Sequence, residues 1–251
     1  MNVVVAMKQI PDLQQIRIRN RQPVLEDVPW TMGAIDKNAL EAAVQIKEAQ
    51  GGKVVLLSAG NEELEDTAKE ALAAGADEAL LIIDDELDKL GSAETAKILA
   101  AAIQRIEKVD LIIFGEGSGD NYSGQVGSRV AEILGLPQVG YASAIELQGE
   151  SLRVSRSLED GEELVEIGLP AVITVISGIN EPRIASVTQI LKAGKKPKEI
   201  LEPGDLVLDL GDICPVKTES NLAPESDRKR VAVKSVDELV VALKGENLIG
   251  R

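Results

Sequence analysis

The residues best suited to chemistry lie in one glycine-rich loop. A run of apolar residues at 111–115 predicts a buried parallel strand, and beyond the loop apolar residues take helical spacing at Val126, Val130, Ile133 and Leu134. Glycines let backbone N–H groups approach a ligand, and the start of a helix carries a partial positive charge. The loop therefore predicts a phosphate or pyrophosphate site. It is neither GxGxxG nor GxxxxGK, so the loop alone leaves a turn that binds nothing as the alternative.

This chain lacks several of the side chains that most often carry out catalysis. There is no histidine, which removes the commonest general base and the commonest zinc ligand, so no metal site is expected. Cys214 is the only cysteine, which excludes an internal disulfide and an iron–sulfur cluster held by this chain alone. Carboxylates are plentiful, but most lie on predicted helix faces such as 62–66 and indicate a solvated surface. We therefore expect no catalytic residue and assign any chemistry to a bound cofactor.

Composition narrows the classes of partner. The chain has 251 residues with 44% apolar content, enough for one large domain or one domain with an appendage. A net charge of −15 and a supply of only four aromatic residues argue against binding of nucleic acid. The start leads directly into Lys8 and Pro11 without a long apolar stretch, and no run approaches the ~20 residues of a membrane span. A cytoplasmic location is expected, with no insertion into the membrane.

The first 135 residues alternate between strand and helix patterns. Predicted strands lie at 3–7, 53–58, 78–83 and 109–115, and predicted helices at 36–50, 61–75 and 92–107. Asp36, Asn61 and Ser92 are the expected helix caps. Alternation of this kind implies right-handed crossovers, so the expected fold class is α/β, with a doubly wound, Rossmann-like parallel sheet.

The pattern changes after Pro137. Expected strands at 143–147, 152–157 and 163–168 form a β-hairpin insertion, and 171–176 returns to a buried strand. From residue 180 onward the sequence predicts loop and arm, closed by a short helix at 235–244. We therefore divide the chain into a nucleotide-binding domain, 1–182, and a docking segment with a C-terminal arm that clasps a partner, 183–251. A disordered tail is the alternative, although long irregular segments are usually functional.

Several segments together resemble the β subunit of electron transfer flavoproteins. They are 3–12, 36–43, 75–77, 120–128, 169–175, 180–183, 190–196 and 203–206. Each segment is weak alone, but their order and spacing are specific and they cover essentially the whole chain. The resemblance implies a heterodimer with an α subunit that binds a redox-active FAD, around which this chain places its arm. It also implies a nucleotide in this chain, which is AMP in the respiratory form and a second FAD in electron-bifurcating relatives.

The loop at 115–127 looks closer to the nitrogen-fixation and carnitine-associated branch of that family than to the respiratory branch. The resemblance then implies electron transfer between a dehydrogenase or NADH and a quinone, ferredoxin or acyl-CoA partner, with bifurcation expected. Electron partners of this family are dehydrogenases or membrane oxidoreductases. The segment Val187–Lys192 matches the region that docks onto acyl-CoA dehydrogenases in respiratory relatives; an ordinary amphipathic turn or short helix is the alternative.

The resemblance also implies the residues that hold the nucleotide. Ala6 and Lys8 would lie beside adenine and ribose, with Ser58, Ala59 and Gly60 at the next strand end. The loop would wrap the phosphates, with its backbone N–H groups as donors and Ser128 at the helix start. Its expected binding residues are Gly115, Glu116, Ser118, Gly119, Asp120, Tyr122, Ser123, Gly124, Gln125, Val126, Gly127 and Ser128.

One segment departs from the family pattern. Relatives commonly have Met-Asn-Pro before the first long helix, whereas this chain reads Met32-Gly33-Ala34. Asp36 is therefore only a weak candidate for the nucleotide site. Asp36 and Asn38 are otherwise expected to act as a helix cap and as an exposed residue of the first turn.

Two other function classes compete with the electron carrier. A stand-alone adenine-nucleotide binder of the stress-protein type shares the doubly wound sheet and the glycine loop, but it has no need of an arm at 183–251. An adenylating enzyme would require a Ser-Gly-Gly loop after the first strand, where this chain has Met7-Lys8-Gln9. The sequence leaves open whether the ligand is AMP or FAD.

Overall fold

The structure is a computed structural model, which describes residues 1–206, 208, 219–225 and 228–250. It divides into two units, one formed by 1–17 with 25–219 and the other by 18–24 with 220–251. The strands are β1 (Asn2–Met7), β2 (Gln9–Pro11), β3 (Arg17–Arg19), β4 (Gln22–Val24), β5 (Trp30–Met32), β6 (Lys53–Gly60), β7 (Glu78–Ile83), β8 (Leu111–Gly115), β9 (Gln138–Gln148), β10 (Ser151–Leu158), β11 (Gly161–Gly168), β12 (Ala171–Val175) and β13 (Lys198–Leu201). The helices are α1 (Ala34–Gln50), α2 (Leu64–Ala74), α3 (Ser92–Ile103), α4 (Val126–Leu134), α5 (Val187–Ala193) and α6 (Val236–Gly245), with 3₁₀ turns at Asp85–Lys89 and Pro203–Asp205.

A nine-stranded sheet organises the larger unit. Its order is β11-β10-β9-β12-β8-β1-β6-β7-β13. Every neighbouring pair from β9 to β13 is parallel, and only β9-β10 and β10-β11 are antiparallel. Among the later strands of this sheet, β6 and then β7 lie on one side of β1, and the next strand along the chain, β8, lies on the other side of β1. The order therefore reverses between β1 and β8, and such a switch point is where ligands bind in open α/β sheets.

Helices cover both faces of the sheet. In β1, Val3 and Val5 pack in a cluster with Leu40 of α1 and Leu72 of α2. The alternate residue Val4 packs in a second cluster, which includes Leu99 of α3 and Val130 of α4. Parallel strands buried on both faces are continuously apolar, as the sequence pattern of these strands predicted. The expected doubly wound α/β fold is confirmed.

The expected helix starts are corrected in three places. α1 begins two residues before Asp36 and follows Gly33 without a side-chain cap. The Asn61 carboxamide accepts from the Glu63 N–H at 3.0 Å, ahead of the start of α2 at Leu64. Ser92 is the first residue of α3, after Gly91. Asp36 does not cap α1, because its carboxylate accepts a hydrogen bond from the Lys8 N–H, just after β1, instead.

Part of the segment expected to be loop belongs to the sheet. β13 pairs in parallel with β7, with Lys198 opposite Ala79 and Leu201 opposite Ile82. Its sequence, Lys198-Glu199-Ile200-Leu201, is short and half charged, which is typical of edge strands because charges discourage further pairing. The expectation of irregular structure at 198–201 was wrong for that reason.

The smaller unit combines residues 18–24 with 220–251. Arg21 donates to Glu225 at 2.5 Å, and the Ala223 N–H donates to the Arg21 carbonyl at 2.7 Å. Ser235 caps α6 by accepting from the Glu238 N–H at 3.2 Å. The boundary expected at 182/183 stays a prediction, and Cys214 lies outside the described residues. None of the described helices has the length and apolarity needed to cross a membrane.

Candidate functional site

Three strand ends meet at the switch point of the sheet. Met7 of β1 lies opposite Ser58 of β6, and the Ser58 hydroxyl donates to the Met7 carbonyl at 2.7 Å. β8 lies on the other side of β1 and ends at Gly115. Ala6 and Ser58 are buried, at 4% and 0% exposure. The structure thus brings the expected residues of β1, β6 and β8 to one edge of the sheet.

Asp36 closes this edge from the first turn of α1. Its carboxylate accepts from the Lys8 N–H at 2.9 Å, and a Cβ at Gly115 would lie only 2.8 Å from its other oxygen. Burial raises the pKa of Asp36 to about 7, against the favourable charge and hydrogen bond of Lys8, and nearby Asp120 adds to the rise. The carboxyl group therefore connects the ends of β1 and β8, and its charge depends on pH near neutrality.

Lys8 connects the end of β1 to the loop. Its ammonium lies 2.5 Å from the Asp120 carboxylate, with the two side chains 44% and 22% exposed. Burial opposes ionisation of Asp120, but the hydrogen bonds from Lys8 and Ser118 and the charge of Lys8 lower its pKa. A partly exposed ammonium beside a phosphate-type loop can bind a phosphate oxygen, so Lys8 has the chemistry expected of it.

The loop presents a row of free backbone donors. Among residues 1–206, no group accepts a hydrogen bond from the N–H groups of 123–125, and α4 begins at Val126 without a side-chain cap. The first N–H groups of α4 have no partner within the helix either. Gly124 has a φ of +63°, a left-handed conformation that glycine adopts without strain. Successive free N–H groups at a helix start fit a phosphate group.

Two glycines let the loop lie close to neighbouring segments, Gly127 against the sheet and Gly119 against Leu13. A Cβ at Gly127 would be 2.7 Å from the Thr174 methyl group and 3.3 Å from the Phe114 ring. A Cβ at Gly119 would be 3.1 Å from the Leu13 side chain. The start of α4 therefore packs directly on the ends of β8 and β12, which fixes the position of the donors.

Side chains of the loop make mostly local contacts. The side-chain amide oxygen of Gln125 accepts from the Arg129 guanidinium at 2.8 Å and from the Ser92 hydroxyl at 3.2 Å, which joins the loop to the start of α3. The Glu116 N–H donates to the Val175 carbonyl at 2.9 Å, so the loop begins on β12. Ser123, Gly124, Gln125 and Ser128 are exposed. Of the other expected residues, Ser118 contributes a hydroxyl to Asp120, and Ala59 lies at the end of β6.

Asn38 is not the exposed residue expected from its position in the first turn. It is 5% exposed, and its amide donates to the Asn180 carbonyl at 2.8 Å. The Asn180 amide returns a hydrogen bond to the Asn38 carbonyl at 3.0 Å. This pair ties α1 to the chain beyond β12, a tertiary contact that helical periodicity does not reveal.

Sequence reasoning missed Thr174 and Tyr141. The Tyr141 N–H donates to the Thr174 hydroxyl at 3.1 Å, where the pairing of β9 and β12 shifts register. Tyr141 has a φ of 60°, which is rare for a residue with a bulky side chain. The only available signal was that Tyr141 and Tyr122 are the two tyrosines of the chain.

The segment Val187–Lys192 forms most of α5, as the short-helix alternative anticipated. Ser186 and Gln189 form a reciprocal cap, and Val187, Ile190 and Leu191 are 75%, 55% and 73% exposed. Ahead of the helix, Arg183 donates to buried Glu41 at 2.8 Å and to Glu48 at 2.7 Å. A groove of about 570 Å³ lies between α1, α2 and residues 182–190. The described residues thus present an anchored helix with exposed apolar side chains beside a groove.

Comparison with known proteins assigns a family to this arrangement. The family model described as "Electron transfer flavoprotein domain" matches residues 24–206. An "Electron transfer flavoprotein subunit beta" from Thermoanaerobacterium thermosaccharolyticum is 38% identical over 235 residues, which cover 91% of this chain and 90% of the relative. A protein of the same name from Clostridium acetobutylicum is 35% identical over 260 residues, covering 99% of this chain and all of the relative. The alignment with the Clostridium acetobutylicum protein extends over both units of the chain, whereas the family model ends at residue 206.

Proposed function

The chain belongs to the electron transfer flavoprotein β-subunit family, and from this premise we propose that it binds an adenine nucleotide at the 115–128 loop while it passes electrons together with an FAD-bearing α subunit. The nucleotide is AMP or FAD. The observation that carries the proposal is the row of free N–H groups at 123–125 and the start of α4, next to the switch point of the sheet.

Residues of this chain act by binding and positioning. Lys8 neutralises phosphate charge, since its ammonium is partly exposed and already faces the loop. Asp36 keeps the ends of β1 and β8 together through the Lys8 backbone, and the free N–H groups orient the phosphates. A bound flavin supplies the redox chemistry, and no acid or base from this chain is required.

The proposal extends to the electron partner. Exposed Val187, Ile190 and Leu191 lie on α5, and Arg183 fixes the chain that leads into it. An apolar surface on an anchored element can dock a partner without first ordering a loop, which lowers the entropic cost of binding. We assign this surface to the dehydrogenase or membrane oxidoreductase that exchanges electrons with the complex.

We also propose that the complex performs electron bifurcation. It requires FAD in place of AMP at the loop, so that electrons from NADH divide between a low-potential acceptor such as ferredoxin and a higher-potential acceptor such as a quinone or acyl-CoA partner. A stand-alone nucleotide binder is the alternative, but the alignment with a full-length β subunit covers 99% of the chain, including the arm region.

The test is the identity and amount of nucleotide in the complex of this chain with its α subunit. The complex is purified, incubated with excess FAD and freed of unbound ligand. It is then denatured, and the released nucleotides are separated and quantified. About two FAD per heterodimer support the bifurcating form, and one FAD with one AMP returns the protein to the simple carrier class. A complex that releases only the α-subunit FAD would contradict nucleotide binding by this chain.

A further inference from the structure

Two tyrosines lie on the side of the loop that faces away from β6, toward β12 and β9. Tyr122 belongs to the loop, and Tyr141 belongs to β9 at the carboxyl end of its neighbour β12. They are 54% and 43% exposed, unusually open for the only two tyrosines of the chain. The pKa of Tyr122 is raised by partial burial and by the hydrogen bond from its hydroxyl to Glu116, and the proximity of Tyr141 raises it further. The two tyrosines, called here the aromatic cluster, therefore lie at the carboxyl ends of the neighbouring strands β8 and β12.

One face of the Tyr122 ring is supported by the backbone. A Cβ at Gly117 would lie 3.0 Å from both Cγ and Cδ2 of Tyr122, so only glycine lets the ring lie this close. The backbone on both sides is anchored as well, because the Tyr122 N–H donates to the Ser118 carbonyl at 3.0 Å and the Glu116 N–H donates to the Val175 carbonyl at 2.9 Å. More than half of the side chain remains exposed. Tyr122 is therefore a fixed aromatic ring with an open surface.

Both tyrosines have backbone conformations that bulky residues rarely adopt. Their φ angles are 45° for Tyr122 and 60° for Tyr141. Such conformations persist only where the surrounding structure enforces them, and they concentrate at ligand sites. For Tyr141 the enforcing contact is the hydrogen bond from its N–H to the Thr174 hydroxyl. The methyl group of Thr174 lies against Gly127 at the start of α4. The same contacts thus position the aromatic cluster and the phosphate donors.

Sheet order gives the distance between this cluster and the other end of the site. Four strand spacings separate β9 from β6, in the order β9-β12-β8-β1-β6. At about 4.8 Å each, they amount to about 19 Å. The phosphate loop follows β8, in the middle of that span. A mononucleotide seated on β1 and β6 ends at the loop, whereas an extended dinucleotide reaches across it to the tyrosines.

From this placement we propose that Tyr122 and Tyr141 bind the isoalloxazine ring of an FAD whose pyrophosphate lies on the 123–128 donors and whose adenosine lies at β1 and β6. The inference rests on the proposed nucleotide site and goes further, because it assigns the second ring and the residues that select FAD over AMP. Stacking of a planar ring on an exposed aromatic side chain is favourable and tolerant of ring type. AMP has no ring that reaches the cluster.

The experiment compares FAD and AMP binding in the complex of the full chain with an α subunit already saturated with its own FAD. Tyr122→Ala and Tyr141→Ala should each weaken binding of the additional FAD about tenfold. AMP binding should change less than about twofold, since AMP does not reach the tyrosines. Tyr122→Phe keeps the ring and should retain most of the affinity for FAD. Ile133→Ala, which trims an exposed apolar side chain on α4, serves as the control and should change neither affinity.

Equal losses of AMP and FAD in the alanine variants would overturn the inference, because the tyrosines would then hold adenine or merely support the loop. Unchanged FAD affinity in both alanine variants would overturn it as well. A wild-type complex that binds AMP but no additional FAD contradicts the inference and leaves the nucleotide site standing. A wild-type complex that binds neither ligand contradicts the proposed site itself, and with it the inference.

Discussion

Asp36 is a buried carboxyl group whose effect on stability depends on pH. Its pKa rises from 3.8 to about 7 in the folded protein, mainly by burial. Between these values the folded state keeps a proton that the unfolded state has lost, so the free energy of unfolding decreases as pH rises. The stability that Asp36 contributes in its protonated form is fully present below about pH 4 and is lost as pH rises past about 7. Over that range the free energy of unfolding decreases by at most about 4 kcal/mol.

Asp36→Asn should therefore flatten the dependence of stability on pH. The amide keeps an acceptor for the Lys8 N–H but does not titrate, so the decrease between about pH 4 and about pH 8 should shrink. The measurement is the unfolding free energy from denaturant titrations across that range. Asp66→Asn is the control, because Lys69 lowers the pKa of Asp66, so this carboxylate is ionised in both states over most of that range and its removal should leave the slope unchanged. A variant with the same slope as the wild type would show that Asp36 does not titrate as described.

Gly124 combines a left-handed backbone with a position among the phosphate donors. Its φ is +63°, and a Cβ there would lie 3.5 Å from the Glu116 carbonyl. Gly124→Val should reduce nucleotide affinity by about 2–4 kcal/mol, because the new side chain strains the loop and turns the N–H groups away. Retention of nucleotide in the purified complex is the measurement.

Gly149→Val is the matched control for that variant. Gly149 has a φ of +64°, with no atom within 4 Å of its Cβ position, in the turn between β9 and β10. It carries a similar backbone penalty far from the loop, so stability should fall without loss of nucleotide. Equal retention in both variants would remove Gly124 from the site. Gly127→Val is less informative, because its Cβ would overlap Thr174 and disturb the fold as well.

At the scale of elements, Arg183 fixes the chain between β12 and α5 onto α1. Burial opposes ionisation of Glu41, but its hydrogen bonds with Arg183 lower the pKa of this carboxyl group. Arg183→Met should destabilise the protein by about 3 kcal/mol at neutral pH, because it leaves Glu41 charged and buried. The cost should diminish as pH falls below the ordinary glutamate value, where Glu41 becomes protonated.

Thermal or denaturant unfolding measures this effect, and Lys89→Met is its control. Lys89 pairs with Glu86 on the surface, where both side chains are largely exposed, so its loss should change stability little. If both variants behave alike, the Arg183 contacts do not anchor the segment. If only Arg183→Met also weakens the reaction with the electron partner, the anchor positions α5 for docking.

The sequence predicted the elements whose pattern is local. Apolar runs such as 111–115 identify buried strands, and β7 occurs at the expected residues, Glu78–Ile83. Helix starts were less predictable, because Asp36 satisfies a strand end rather than its own helix. β13 was missed because a short edge strand with Lys198 and Glu199 has no strong apolar period. Local preference is overridden wherever a side chain finds a partner distant in sequence.

The same distinction applies to the candidate site. The loop was predicted because glycines, a strand end and a helix start are adjacent in sequence, whereas Lys8 was implied by the resemblance to the family. The contact of Gly127 with Thr174 and the hydrogen bond from Tyr141 to Thr174 depend on how β12 packs and pairs with β9, which no periodicity encodes. The resemblance to known β subunits predicted the site residues as a set, and their binding role stays a prediction, while the contacts among them come from the structure.

At the scale of the whole molecule, the smaller unit presents apolar surface that needs a partner. Val236 and Val241 of α6 are 76% and 70% exposed, and Leu248 beyond the helix is 69% exposed. Exposed apolar side chains gathered on one short segment mark an interaction surface. The net charge of −15 disfavours self-association of this chain through mutual repulsion. A distinct subunit is therefore the expected partner, and the family assignment identifies it as the α subunit.

The double variant Val236→Asp with Val241→Asp should weaken the αβ complex by at least about tenfold, because it replaces two apolar contacts with charges that must lose water on binding. Coexpression with the α subunit followed by sedimentation at micromolar concentration measures the complex. Lys244→Glu, at the end of the same helix, changes the net charge by the same amount but keeps both valines. If the control dissociates as readily as the double variant, charge rather than apolar contact governs assembly. If wild-type chains sediment as independent subunits, the expected heterodimer itself is contradicted.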